Sequence, residues 1–188
     1  MGLIALVALV AILGSLGLSL YFLTTYRSLK GLRNGTQKAW ASIDILLKQR
    51  NDELPKLVGV CRSYIPHEHQ ALKRVTEART FFLKAGTVAE KAQADKLATG
   101  ALDGLFAVAE QYPDLKADAT FRELRGRLTA LEEGIAAQHT AFNERVSTYN
   151  HAIAGIPANL VASLGHLQPE ALFRAPESDP RDPQIESR

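Results

Sequence analysis

The chain has 188 residues, with 22 Lys plus Arg against 20 Asp plus Glu, for a net charge of +2. So even a balance carries no nucleic-acid footprint. A single cysteine, Cys61, excludes an internal disulfide and with it a disulfide-stapled secreted fold.

Leu3 to Leu23 reads LIALVALVAILGSLGLSLYFL, and no charged residue occurs between Met1 and Tyr26. At about 1.5 Å per residue this stretch spans roughly 31 Å as a helix, close to the ~30 Å hydrocarbon core of a bilayer. Residues 1–26 are therefore expected to form a single transmembrane anchor. A cleaved signal peptide fits less well. Nothing basic precedes the run, it is longer than an h-region, and small pairs such as Ser15 and Gly17 lie well inside it. Arg27, Lys30, Arg33 and Lys38 follow before the first acid, Asp44, so the positive-inside rule places the following domain in the cytoplasm. Tyr21 and Tyr26 stand where an aromatic belt would mark the interface. Gly14 and Gly17 lack the GxxxG spacing of closely paired spans.

From Arg27 to about Ile65 the pattern is helical. Leu32, Ala39, Trp40, Ile43, Leu46, Leu47, Leu54, Leu57, Val58 and Cys61 recur at helical spacing and mark one apolar face. The anchor is expected to run straight into this helix. Pro55 cannot donate a hydrogen bond to residue 51 and crowds that carbonyl, so either the helix kinks there or Asn51 or Asp52 caps a fresh one. A kink is the expectation.

Pro66 ends that element, and His67-Glu68-His69 opens a second helix through Leu72, Val75, Ala78, Phe82 and Leu83 to a stop at Gly86. Thr87 with Glu90 makes a capping box for a third. Its expected core face is Leu97, Ala101, Leu102, Leu105, Val108, Ala109 and Tyr112, with Pro113 closing it. Gly100 and Gly104 weaken this helix by up to ~1 kcal/mol each relative to alanine and read as residues that permit close packing.

Asp118 can cap the last long helix, whose apolar residues are Phe121, Leu124, Leu128, Leu131, Ile135, Phe142, Val146, Tyr149 and Ile153. The seam drifts by one place after Ile135, as a straight helix requires, which favours a globular antiparallel bundle over an extended coiled coil. At about 35 residues this helix would span roughly 53 Å. A short segment, Ala158 to Leu164, follows Pro157. From Gln168 onward prolines and charges dominate, and such composition cannot bury enough surface to offset the entropy of ordering. The expected organisation is an anchor over 1–26, a helical bundle over 27–167 and a disordered tail over 168–188.

Few residues carry chemistry. His67 and His69 are two apart and point to different sides of a helix, so the cluster reads as a helix start rather than a metal site. His139 lies on the drifting seam between Ile135 and Phe142, as a half-buried core histidine or a pH-sensitive contact. Arg50 falls on the first helix's apolar face, where it should snorkel or pair with a carboxylate from a facing helix. Asn143 and Asn150 share one helix face and, with Asp44, are candidates for register-fixing hydrogen bonds or for a polar docking surface. Trp40 is a candidate core anchor, which if exposed would serve an interface. Cys61 reads as a buried, inert thiol. No Walker loop, nucleophile elbow, dinucleotide glycine pattern or bundle-type Glu-x-x-His motif occurs, so no catalytic residue, cofactor or metal is expected.

Several motifs in order are similar to the LemA family of bacterial membrane proteins. They are LRNGTQKAWASIDILLKQRNDELPKLV from Leu32, HEHQALKRVTEAR from His67 and AVAEQYPDLKADATFREL from Ala107. FNERVSTYN from Phe142 and IPANLVA from Ile156 complete the set. The family usually has Tyr-Asn at both ends of the FNERVSTYN motif, whereas this chain has Phe142-Asn143 first and Tyr149-Asn150 last. The resemblance implies an all-α fold, with an anchor and an antiparallel four-helix-type bundle in the bacterial inner membrane. It implies no defined enzymatic activity. Some members carry lipoprotein-type signals that would place their bundles outside the cytoplasm, but this chain has no cysteine near the end of its apolar run.

The functional expectation is a membrane-anchored interaction or scaffold module with an unidentified protein partner, no nucleic acid and possible homo-oligomers. A membrane-organising protein acting by lateral self-assembly is the alternative, and an uncharacterised metal-dependent hydrolase the remote one.

Overall fold

A computed structural model describes residues 1–174, apart from the side chain of Ala5. Among the described residues all regular structure is helical: α1 (Gly2–Tyr64), α2 (His69–Lys84), α3 (Val88–Ala109), α4 (Pro113–Ala117), α5 (Ala119–Ala154) and α6 (Ala158–Leu164). The fold is all-α with bundle-like packing, and it opens on a long apolar helix. The chain divides into two compact units, one of residues 1–41 and 140–171, the other of residues 42–139 and the segment from Leu172.

α1 runs through Pro55 without ending, so no fresh helix starts at Asn51 or Asp52. One proline forfeits a single backbone bond, and packing on both sides of it holds the helix: Leu54 and Leu57 are buried, and so is Asn51 itself. Their partners in the second unit come from every other helix there. Leu72 and Val75 of α2, Leu102 and Leu105 of α3, Leu115 of α4, and Phe121 and Leu128 of α5 join Leu54, Leu57 and Cys61 in one core.

Helix starts follow local chemistry. Thr87 and Glu90 form the reciprocal capping box, with the Glu90 amide donating to Thr87 Oγ1 at 3.1 Å and the Thr87 amide to Glu90 Oε2 at 2.9 Å. Asp118 caps α5 through Oδ1, which accepts from the Phe121 amide at 2.8 Å, while Oδ2 accepts from the Tyr64 hydroxyl at 3.0 Å. At α2, Glu68 occupies the cap position without capping, and its carboxylate accepts from the Tyr112 hydroxyl at 3.2 Å.

α3 keeps most of its expected face, with Ala101, Leu102, Leu105 and Ala109 buried and Val108 and Tyr112 packed against them, but Leu97 departs from it. Leu97 is 43% exposed, and the buried stripe runs through Ala94, Ala98, Ala101, Leu102, Leu105 and Ala109. Leu97 sits at that stripe's edge, where α3 turns Asp95 and Thr99 toward Arg50 instead. Gly100 and Gly104 do not serve close packing, because a Cβ at either would meet nothing within 4 Å. Pro113 does not close α3, which ends at Ala109; it begins α4, where its missing N–H costs nothing.

In the first unit, the most apolar window of α1 is wholly unburied. Just beyond it, Leu29 packs with Tyr149 and Ile153 of α5 and with Val161 and Ala162 of α6, and Phe22, Tyr26 and Leu32 lie against this core. The expected disordered tail does not begin at Gln168. The Gln168 carbonyl accepts from the Tyr149 hydroxyl at 3.0 Å, and Glu170 is bonded through backbone and side chain to α5 and α1. A handful of specific hydrogen bonds offsets the ordering entropy that composition alone sets against this segment. Residues 175–188, the rest of that expected tail, lie outside the described residues.

Candidate functional site

Two polar constellations stand out, one in each unit. In the second unit Arg50 is 3% exposed on the apolar face of α1. An arginine so placed must satisfy its fork or lose heavily on desolvation. α3 supplies the answer with residues one turn apart. Asp95 Oδ1 lies 2.6 Å from Nη2, the Asp95 carbonyl accepts from the same nitrogen at 3.3 Å, and Thr99 Oγ1 accepts from Nη1 at 3.1 Å. From α5, Glu132 Oε1 approaches Nη1 at 3.7 Å, beyond hydrogen-bond reach, and this buried oxygen has no hydrogen-bond partner.

Two carboxylates thus share one guanidinium. Burial pushes the Asp95 carboxyl up, and Arg50 opposes that without cancelling it. Glu132 is raised for the same reason, against the pull of Arg50. These groups line a cleft of about 430 Å³ together with Lys96, His139 and Phe173. His139 Nε2 bonds the Phe173 carbonyl oxygen, and the two rings stand edge to face with centroids 5.1 Å apart. A carbonyl oxygen only accepts, so Nε2 is the donor of this bond. The cleft neutralises the charge of Arg50 and ties α1, α3 and α5 together through it. Among the described residues no group of three or more His, Cys, Asp or Glu is disposed to hold a metal ion.

In the first unit the centre is Glu170. Its carboxylate accepts from Thr36 Oγ1 at 2.9 Å and from Arg33 Nε at 3.3 Å, and Thr36 is fully buried. Its backbone is held from α5, where Asn150 Nδ2 donates to the Glu170 carbonyl and Asn150 Oδ1 accepts from the Glu170 amide, both at 2.9 Å. A side-chain amide presents one donor and one acceptor in a plane, which is what an extended backbone unit needs.

The positions singled out in the sequence fall as follows. Asn150 does not fix helix register but clamps the segment after α6. Asn143 is half-buried on α5. Asp44 is half-buried between Lys48, at 2.6 Å, and Lys91; burial pushes its carboxyl up, but these lysines outweigh that and hold it below its ordinary value. Trp40 is half-buried, its ring 5.7 Å from that of Phe142. Cys61 is buried, and burial pushes its thiol up to about 12. Arg50 pairs with carboxylates of facing helices, as its place on an apolar face requires. Asp95, Thr99, Glu132, Thr36 and Glu170 escape sequence reading. The Asp95–Thr99 spacing was a usable signal for one polar face, whereas nothing local marks Glu170.

A family model described as the LemA family matches residues 39–186. Protein LemA of Metamycoplasma hominis is 29% identical over 77% of this chain and 67% of its own length. Magnetosome protein MamQ 2 of Paramagnetospirillum magneticum is 23% identical over 84% of this chain and 68% of its own length. Magnetosome protein MamQ of Magnetospirillum gryphiswaldense is 23% identical over 84% of this chain and 70% of its own length. The matched region contains Arg50, Asp95, Glu132, Asn150 and Glu170, and the apolar run of α1 precedes it.

Proposed function

The chain belongs to the LemA family, and from that premise we propose that it is a membrane-anchored helical scaffold. The apolar run of α1 sits in the bilayer, and the helical units recruit a protein partner without performing a reaction. One observation carries this reading: the apolar window of α1 is wholly unburied within the protein, so something other than the protein must cover it. A core helix of a soluble protein would have buried that surface against its neighbours.

Orientation follows from charge. Arg27, Lys30, Arg33 and Lys38 flank the span ahead of any acid, which favours a cytoplasmic location for the helical units in an inner-membrane protein. In this reading Asp44 and Asn150 serve the framework that presents the docking surface, since their polar groups are already engaged inside the protein.

The test has two readouts. Alkaline carbonate extraction of membranes should leave the full chain in the pellet, and release into the supernatant would end the anchor reading. Photo-crosslinking in native membranes, with the crosslinker on exposed positions of α2 and α3, should capture one recurring protein. Diffuse capture at every position would count against a scaffold. For orientation, a Ser187→Cys variant should react with an impermeant maleimide only after lysis, and reaction in intact cells would place the units outside.

A further inference from the structure

α6 offers a second apolar surface that the fold leaves uncovered. One side of it is committed: Val161 and Ala162 are buried in the core with Leu29, Tyr149 and Ile153. The other side presents Leu160 at 65% and Leu164 at 71% exposure, preceded by Ile156 at 87%. Leu160 and Leu164 are four residues apart within α6 and share one face of it, while Ile156 lies in the turn just before the helix. Exposed leucines in such a row need a cover.

Their position says what the cover is. α6 is packed beside the end of the apolar run of α1. Gly165 lies so close to Tyr26 that a Cβ there would fall 2.7 Å from Tyr26 Cε2, and Tyr26 in turn stacks with Phe22 at 6.5 Å. Phe22 belongs to the last turn of the Leu3–Leu23 run, so α6 stands at the level where that run leaves the hydrocarbon. The chain from Arg145 to Pro169 contains no acid, and from Gly155 to Leu167 its only titratable side chain is His166. Nothing on α6 opposes entry into an anionic interface, and Arg27 and Lys30 are exposed on the neighbouring turns of α1.

We propose that α6 is an interfacial membrane contact, with Ile156, Leu160 and Leu164 seated in the same bilayer leaflet surface that α1 exits. The inference rests on the anchor reading above. It gives the first unit two points of attachment, the span and a short apolar pad, so that the unit is held in one orientation against the lipid instead of turning freely about α1.

The test uses the full chain in phosphatidylethanolamine–phosphatidylglycerol vesicles. An environment-sensitive fluorophore is attached to Leu160→Cys, to Leu13→Cys within the span and to Gln37→Cys, an exposed position about 16 Å further along α1 from Tyr26. The parent chain, whose one thiol is buried, sets the labelling background. At Leu160 the expected result is blue-shifted emission quenched by a spin label carried high on the acyl chain, with Leu13 quenched by deep labels and Gln37 by neither. Deep quenching at Leu13 with none at Leu160 would overturn the pad and leave the anchor standing. Loss of quenching at Leu13 would overturn both. A blue shift at Leu160 without lipid quenching would assign the face to protein, and overturn the pad likewise.

Discussion

Replacing Arg50 by leucine tests the account of the second unit most directly. The guanidinium is 4% exposed at its side chain, with Asp95 and Glu132 at 21% and 26%. Leucine removes the bonds to Asp95 and Thr99 and leaves two carboxylates facing each other in the cleft. Breaking a buried pair by deleting one partner costs about 3–5 kcal/mol, and the partial exposure of both acids argues for the lower end, ~3 kcal/mol. For a chain of this size that corresponds to a fall in Tm of roughly 6–12 °C. The pH dependence gives the sharper check. Both carboxyls are already raised by burial against the pull of Arg50, so removing Arg50 raises them further. A raised acid contributes stability that is complete below its unfolded pKa and is lost as pH rises through the folded value. The penalty of Arg50→Leu should therefore be largest near pH 7 and shrink toward pH 4. Thermal unfolding of the full chain in detergent, followed by far-UV circular dichroism at both pH values, measures it. A penalty that grows on acidification, or a variant as stable as the parent at pH 7, would refute the argument. The triple change Arg50→Leu, Asp95→Leu and Glu132→Leu should recover most of the loss, because an apolar replacement of the whole cluster leaves no charge buried.

Gly100→Ala and Gly104→Ala should each stabilise α3 by up to ~1 kcal/mol, since the added methyl meets open space in a helix interior; a raised denaturation midpoint with unchanged slope is the readout. Asn150→Leu strips the Glu170 backbone of both its partners and should cost about 1–3 kcal/mol, with hydrogen exchange at the Glu170 amide accelerating well before that of α5. Lys91→Met should raise the Asp44 pKa, followed by carboxyl NMR titration. Asp44 contributes stability present above its unfolded pKa and lost as pH falls through its lowered folded value, so this contribution should weaken in the variant. Cys61 should resist alkylation in the folded protein at pH 8 and react at once in denaturant, because burial holds its thiol near 12.

Much of the helical framework was legible along the chain, because its causes are local. The Thr87–Glu90 box and the Asp118 cap act within one turn, and the α5 seam repeats at helical spacing, so each can be read without knowing what lies opposite. At Pro55 the neighbouring residues allow either a continued helix or a fresh start, and α1 continues through it, as expected, with core packed on both sides. Local reasoning failed where the deciding partner is distant. Leu97 has the hydrophobicity for the core but loses the inward place to alanines that flank Asp95 and Thr99. The composition of residues 168–174 argues against order, yet Glu170 is held by Thr36, 134 residues away in sequence.

The sequence by itself determined the apolar run, the charge that follows it, the helices and their caps, and the family. Each of these is written in the order of neighbouring residues, through period, charge and turn chemistry. Only the tertiary structure decided that Arg50 is shared between α3 and α5, that Asn150 clamps a backbone instead of another helix, and that α6 lies beside the end of the apolar run. Those outcomes depend on which faces meet across long sequence separations. A one-dimensional pattern shows that a buried arginine or a short apolar segment needs a partner, and the packing chooses which one.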